Sequence, residues 1–215
     1  MPPAGTVKPR LRGVFHEVGF YVAAVLAAPV VLTAEPGRAR AAALVFTISL
    51  TACFGASALY HRPTWSRSVR PWLARLDHAG IYLLIAGTYT PVGLLVMSPA
   101  WGVPVLAVVW TGAAAAIVAK LFWVGAPKWV SAVIATALGW VGVVAFGQLL
   151  KLPVAGLVLL VAGGLLYSAG AVVYTRKRPD PAPLTFGYHE VFHVFTLAAA
   201  ACQYVAIAFF VLPRA

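Results

Sequence analysis

Charge is what this sequence has least of. Only 10% of its 215 residues are charged, and five of them are acidic: Glu17, Glu35, Asp77, Asp180 and Glu190. A soluble domain carries about a quarter charged residues. With 62% of the chain hydrophobic, a water-soluble globule is excluded and a bilayer is the solvent. Cysteine is nearly absent as well. Cys53 and Cys202 both lie in apolar runs, which excludes a disulfide scaffold and reads as packing. Disorder, coiled coil and collagen fall to the same figures. The shortage of acids leaves a net charge of +11. In a soluble protein that would suggest nucleic acid. In a membrane protein Lys and Arg gather in cytoplasmic loops instead, and no nucleic-acid partner is expected.

What the chain has in abundance is long apolar runs. A spanning helix needs about 20 mostly apolar residues. Seven candidates run near 14–34, 41–61, 77–97, 101–122, 129–150, 153–174 and 187–211. Pro and Gly punctuate the joins, as at Pro36-Gly37, Pro63, Pro71 and Pro179 to Pro183. Pro29, Pro91 and Pro104 fall inside spans, where neighbouring helices can satisfy the freed carbonyls. The first run is read as a span and not as a signal peptide. It opens with His16-Glu17 and lacks small residues at both cleavage subsites.

The expectation is an all-α, multi-pass inner (plasma) membrane protein. Residues 1–13 form a cytoplasmic segment, 14–211 a seven-helix domain and 212–215 an external tail. Orientation comes from loop charge. Lys8, Arg10, Arg12, Arg62, Arg67, Arg70, Arg75, Lys120, Lys128, Arg176, Lys177 and Arg178 fall on one side; Arg38, Arg40, Lys151 and Arg214 fall on the other. The richer side is cytoplasmic, so the N-terminus is inside and the C-terminus outside. The run 176–178 is expected to meet anionic lipid. The sequence says nothing about oligomeric state.

All five histidines fall at that cytoplasmic end. His16 opens span 1, His61 closes span 2, His78 opens span 3, and His189 and His193 open span 7. Ionisable groups at membrane depth are costly and usually mark function. His189 and His193 are four apart, so their rings share one helix face. Two histidines from one helix and His61 from another give three nitrogen ligands, the usual set for a catalytic zinc with one open position. Asp77 is then a candidate general base or an acceptor behind a ligand; plain capping of span 3 is its blander role. Ser57, one turn before His61, is a candidate donor to a developing oxyanion. Its blander role is to bond its own helix. His78 is read as supporting or interfacial, and His16-Glu17 as a helix-start or supporting pair. Glu190 is read as solvated or paired with a basic loop residue. Gln203, deep in span 7, is expected to bond across helices.

The segments HEVGFY (16–21), SALYH (57–61), LDHAGIYLLIAGTYTP (76–91) and GYHEVFH (187–193), each at a helix end, resemble the bacterial haemolysin III family. That family lies in the larger group of progestin and adiponectin receptors and alkaline-ceramidase-like membrane hydrolases. The resemblance runs from about residue 14 to residue 211. It implies seven spans, zinc on His61, His189 and His193 near the cytoplasmic leaflet, and Asp77 and Ser57 beside it. The activity it implies is hydrolysis of a membrane-lipid amide or ester. Two alternatives stand beside this one. The first is a non-enzymatic homeostasis, sensor or pore-forming (cytolytic) protein with structural zinc. The second is an intramembrane metalloprotease that uses His189-Glu190-Val191-Phe192-His193 as an HExxH motif.

Overall fold

The computed structural model describes residues 8–123 and 125–214. Residues 1–7 of the predicted N-terminal segment and residue 215 of the predicted tail lie outside the described residues. The elements are α1 (Val14–Thr33), α2 (Arg38–His61), α3 (Arg70–Leu95), α4 (Pro99–Phe122), α5 (Lys128–Gly139), a 3₁₀ turn (Val141–Ala145), α6 (Phe146–Leu149), α7 (Val154–Arg176) and α8 (Tyr188–Ala206). A π turn (Ile207–Val211) and a 3₁₀ turn (Leu212–Arg214) continue α8. Among the described residues there is no strand, only an isolated bridge between Ala182 and Phe186. Seven helical stretches are long and apolar enough to cross a membrane, with Lys128–Leu149 and Tyr188–Arg214 counted as one each. The all-α, seven-span architecture read from the sequence is the one observed.

Each outer helix buries a single stripe. On α1 the buried positions are His16, Gly19, Ala23 and Val30, spaced three, four and seven apart as one helix face requires. Val18, Tyr21, Val22, Val25 and Leu32 stand exposed on its other side. The stripe on α8 includes His189, His193, Thr196, Ala200 and Gln203. α2 is buried along most of its length, because α1 and α3 pack on either side of it. α4 packs on α3, and α7 on α8. Small residues let α2 and α3 approach closely. A Cβ at Gly87 would overlap Ser49 Oγ and lie 2.6 Å from Ser49 Cβ.

Two elements depart from the hydropathy reading. α3 begins at Arg70, seven residues before the predicted start at 77. Its first turns carry Arg70 and Arg75 and extend the helix beyond the apolar stretch that hydropathy detects. The fifth span is broken after Gly139. Backbone groups freed at membrane depth must find partners inside the protein, and Tyr89 of α3 supplies them. Its hydroxyl donates to Gly139 O and accepts from Gly142 N–H, both at 2.7 Å. Trp140 Nε1 donates to Ser168 Oγ at 2.9 Å and ties the break to α7. Gln203 Nε2 donates to Leu160 O at 3.0 Å, a bond across helices.

A cavity of about 1590 Å³ lies within the bundle between α3, α5, α7 and α8. It reaches from Arg67 and Lys128 at one end to Met97 and Leu149 near the other. Along α3, Asp77 and Leu95 are about 27 Å apart at the helical rise, close to the ~30 Å thickness of a bilayer's hydrocarbon core.

Candidate metal centre

The basic end of the cavity is where the predicted site residues meet. His61 is the last residue of α2, while His189 and His193 open α8 on its buried stripe. One ligand atom from each of the three lies within 4.8 Å of the other two. His61 Nε2 and His189 Nε2 are 3.2 Å apart. Tetrahedral zinc, with nitrogens at ~2.0–2.1 Å, separates its ligand nitrogens by ~3.3 Å. The His193 ring is 1% exposed, and its Nδ1 has no hydrogen-bond partner among the described residues. A buried histidine trio of this spacing fits a metal ion, and the three residues could hold one.

Asp77 Oδ2 lies 3.4 Å from His61 Nε2. This is the nitrogen that faces His189, not the outward one. Asp77 therefore sits on the cluster side of the ring and is not an acceptor behind His61. A carboxylate there can hold a proton at the mouth of the site or approach a bound ion directly.

Ser57 lies one turn before His61, but it does not bond its own helix. Its Oγ is 2.7 Å from His16 Nδ1. The His16 ring stacks on His193 with centroids 3.8 Å apart and planes 5° from parallel. His16 thus stands inside the cluster, at 4% exposure. The sequence carried one hint of this, its place at the same helix end as the other histidines. The pairing of residues 41 apart was not visible. His78 stays outside the trio, with its Nδ1 2.5 Å from Ala74 O one turn back.

Of the two roles read for Glu190, solvated or paired with a basic loop residue, the structure shows the pairing, at 0% exposure. Arg12 Nε donates to Oε1 at 2.5 Å, and Gly187 N–H donates to Oε2 at 2.8 Å. The reason is the segment before α1, which folds back over the site. Arg10 N–H donates to Leu184 O and Leu11 N–H to Thr185 O, both at 3.1 Å. Gly13, with φ +81°, turns the chain into α1 so close to His61 that a Cβ there would lie 2.7 Å from the His61 Cβ. The φ alone favours glycine, and the contact adds to it.

The rim is basic. Lys8, Arg12, Arg67, Arg70 and Lys128 line the cavity at this end. Arg12 is neutralised by Glu190, and Arg62 beside the mouth by Glu17 at 2.6 Å. Partial burial, then the charges of Arg62, Arg12 and Arg70, hold the Lys8 pKa below its ordinary value. Lys128 Nζ donates to the Tyr188 hydroxyl at 2.9 Å and lies 4.6 Å from the Tyr174 ring centre, so it is fixed in place beside His189.

Comparison with known proteins agrees with this architecture. A family profile described as haemolysin-III related matches residues 5–204. The chain is 39% identical over 141 residues to "Hemolysin-3" of Bacillus cereus, an alignment that covers 65% of this chain. It spans 62% of that relative, less than two thirds of its length. It is 33% identical over 167 residues to "Hemolysin-3 homolog" of Bacillus subtilis (strain 168), covering 77% of this chain and 75% of the relative. A match over nearly the whole chain, joined to seven apolar helices, places this multi-pass integral protein of the bacterial plasma membrane in the haemolysin III family.

Proposed function

We propose that His61, His189 and His193 hold a zinc ion, and that the protein hydrolyses an amide or ester of a membrane lipid. The observation that carries this reading is three histidine nitrogens within 4.8 Å at the head of a cavity of about 1590 Å³. Pockets for drug-sized ligands hold about 300–1,000 Å³, so this one has room for a long acyl chain. In this reading the site lies at the cytoplasmic leaflet, which the excess of basic loop residues at that end supports. Anionic headgroups meet the basic rim there.

Zinc held by three histidines leaves one position open and supplies Lewis-acid activation of water and of a carbonyl oxygen. The chain's own residues do the rest. Asp77, beside His61, takes a proton from the attacking water and returns it to the leaving amine or alcohol. Hydroxyl thus adds to the acyl carbon as the C–N or C–O bond breaks. Ser57 donates a hydrogen bond to the oxygen that gains charge. The apolar walls hold the acyl chain and keep bulk water away.

A second reading is favoured by one distance. Asp77, 3.4 Å from His61 Nε2, is near enough to complete a closed four-ligand site. That would make the metal structural and the protein a non-enzymatic sensor or pore-former, in keeping with the relatives' printed names. The protease reading has less support, because both oxygens of Glu190 are engaged by Arg12 and Gly187.

Metal analysis of the purified full-length protein tests the proposal. Near-stoichiometric zinc is expected, and it should vanish in His189→Ala/His193→Ala. Unchanged zinc in that variant overturns the ligand assignment. Zinc-replete protein that releases no fatty acid from a ceramide-like substrate, yet leaks dye from liposomes, overturns the hydrolase in favour of the second reading.

A further inference from the structure

His16 and His78 are the two histidines that the metal and its base leave unused, and the surroundings of His16 are specific. Described hydroxyls inside the spans mostly donate to their own helix: Thr47 to Ala43 O, Thr90 to Ala86 O, Ser168 to Gly164 O and Thr196 to Phe192 O. Ser57 is 3% exposed and has the same opportunity. Its Oγ instead pairs with His16 Nδ1 at 2.7 Å, on another helix. The His16 ring is packed against His193 at 3.8 Å and Phe54 at 5.0 Å between centroids. Its Nε2 is buried with no hydrogen-bond partner among the described residues.

These contacts select one arrangement of protons on the neutral ring. If Ser57 donated to Nδ1, the ring proton would sit on Nε2 as a buried N–H without an acceptor. Orphaned donors of that kind are rare and costly. With the proton on Nδ1, the ring donates to Ser57 Oγ, Nε2 is a buried lone pair, less costly to leave unpaired than an N–H, and the Ser57 hydroxyl hydrogen remains free. Ser57, His16 and the three clustered histidines all line the same cavity.

We infer that His16 is a positioning residue: its Nδ1–H holds Ser57 Oγ off the α2 carbonyls and turns the serine into a hydrogen-bond donor for a carbonyl oxygen of the ligand in the cavity. The assignment also removes one route to nucleophilic chemistry. A histidine that donates to Oγ cannot take its proton, so His16 is not the base that would make Ser57 a nucleophile. The hydrogen bond stands without the hydrolase reading; only the oxygen that Ser57 meets rests on it.

The test needs no substrate to begin. In full-length protein labelled with ¹⁵N-histidine, long-range ¹H–¹⁵N spectra report the tautomer of each of the five rings. The Nδ1–H form is expected for His16, with His16 resonances displaced by Ser57→Ala and zinc content unchanged. An asparagine amide falls near Nδ1, whereas a glutamine amide reaches toward Nε2. His16→Asn is therefore expected to keep zinc and most of the turnover. His16→Gln, His16→Leu and Ser57→Ala should each lower kcat by roughly 100-fold, the loss typical of one oxyanion donor. The double variant His16→Leu/Ser57→Ala should fall no further. An Nε2–H tautomer, resonances indifferent to Ser57→Ala, or zinc lost from His16→Asn each overturns the proposal, the last by making His16 a ligand. Wild-type protein without zinc but with the Nδ1–H tautomer would sink the hydrolase reading alone.

Discussion

The two walls of the cavity are built to different standards. On one side α2 has 61% of its apolar stretch buried, with α1 and α3 against it. On the other, Lys128–Leu149 is 17% buried and broken in the middle. The histidines belong to the first side and to the start of α8. The lipid-facing half of the wall belongs to the second. A metal site must hold its ligands to within about 0.5 Å, which takes locked side chains and a rigid frame. A cavity that admits lipid needs a wall that can part, and loosely packed segments open at low free-energy cost. In the proposed function these opposed demands fall on different helices, and substitutions on the two sides should behave differently.

The largest effect is expected on the rigid side. Asp77→Asn removes the only acid among the described residues near His61 and leaves the shape of the site intact. Zinc should stay bound while turnover of a ceramide-like lipid falls roughly 10²–10⁴-fold. Paired metal analysis and fatty-acid release measure both quantities in one preparation. Full turnover in this variant removes Asp77 as the base. Loss of zinc makes Asp77 a ligand and the site a closed one.

Next come two glycines, one on each side. An added methyl at Gly87 would run into Ser49, whereas nothing lies within 4 Å of one at Gly139. Gly87→Ala should cost about 1–3 kcal/mol, as overpacking does. Gly139→Ala should stay within about 0.5 kcal/mol of wild type. Thermal unfolding in detergent, followed by circular dichroism, compares them directly. Equal midpoints would mean that α2 and α3 are no more rigid than the fifth span.

The asymmetry was only partly legible in the sequence. Hydropathy found seven spans because each apolar run is a bilayer thick. It missed the start of α3 because Arg70 and Arg75 continue the helix past the lipid. It also missed the break after Gly139, since glycine and tryptophan are ordinary membrane residues and the stabilising hydroxyl comes from Tyr89, 50 residues away. At the site, the i, i+4 spacing placed His189 and His193 on one face, and family-like motifs added His61. The place of His16 was hidden because its partners, Ser57 and His193, lie on other helices. Solvation and pairing stayed open for Glu190 for a similar reason: the helix wheel of α8 cannot show the segment 8–13 that folds over it.

The smallest effect probes the break itself. Tyr89→Phe removes a hydroxyl that both donates to Gly139 O and accepts from Gly142 N–H. Each bond is worth about 0.5–1.5 kcal/mol net, and their loss leaves two backbone groups to find water or each other. If the fifth span is a compliant wall, the loss stays local. Hydrogen exchange should quicken in peptides that contain residues 139–146, while zinc content and the histidine tautomers remain as they were. KM for a long-chain substrate should then change more than kcat, because the chemistry is held by α2, α3 and α8. A fall in unfolding temperature as large as that of Gly87→Ala would show instead that the span is part of the rigid frame. On the proposed function lipid would then reach the histidines by another route, for which the basic end of the cavity, lined by Arg67 and Lys128, is the candidate.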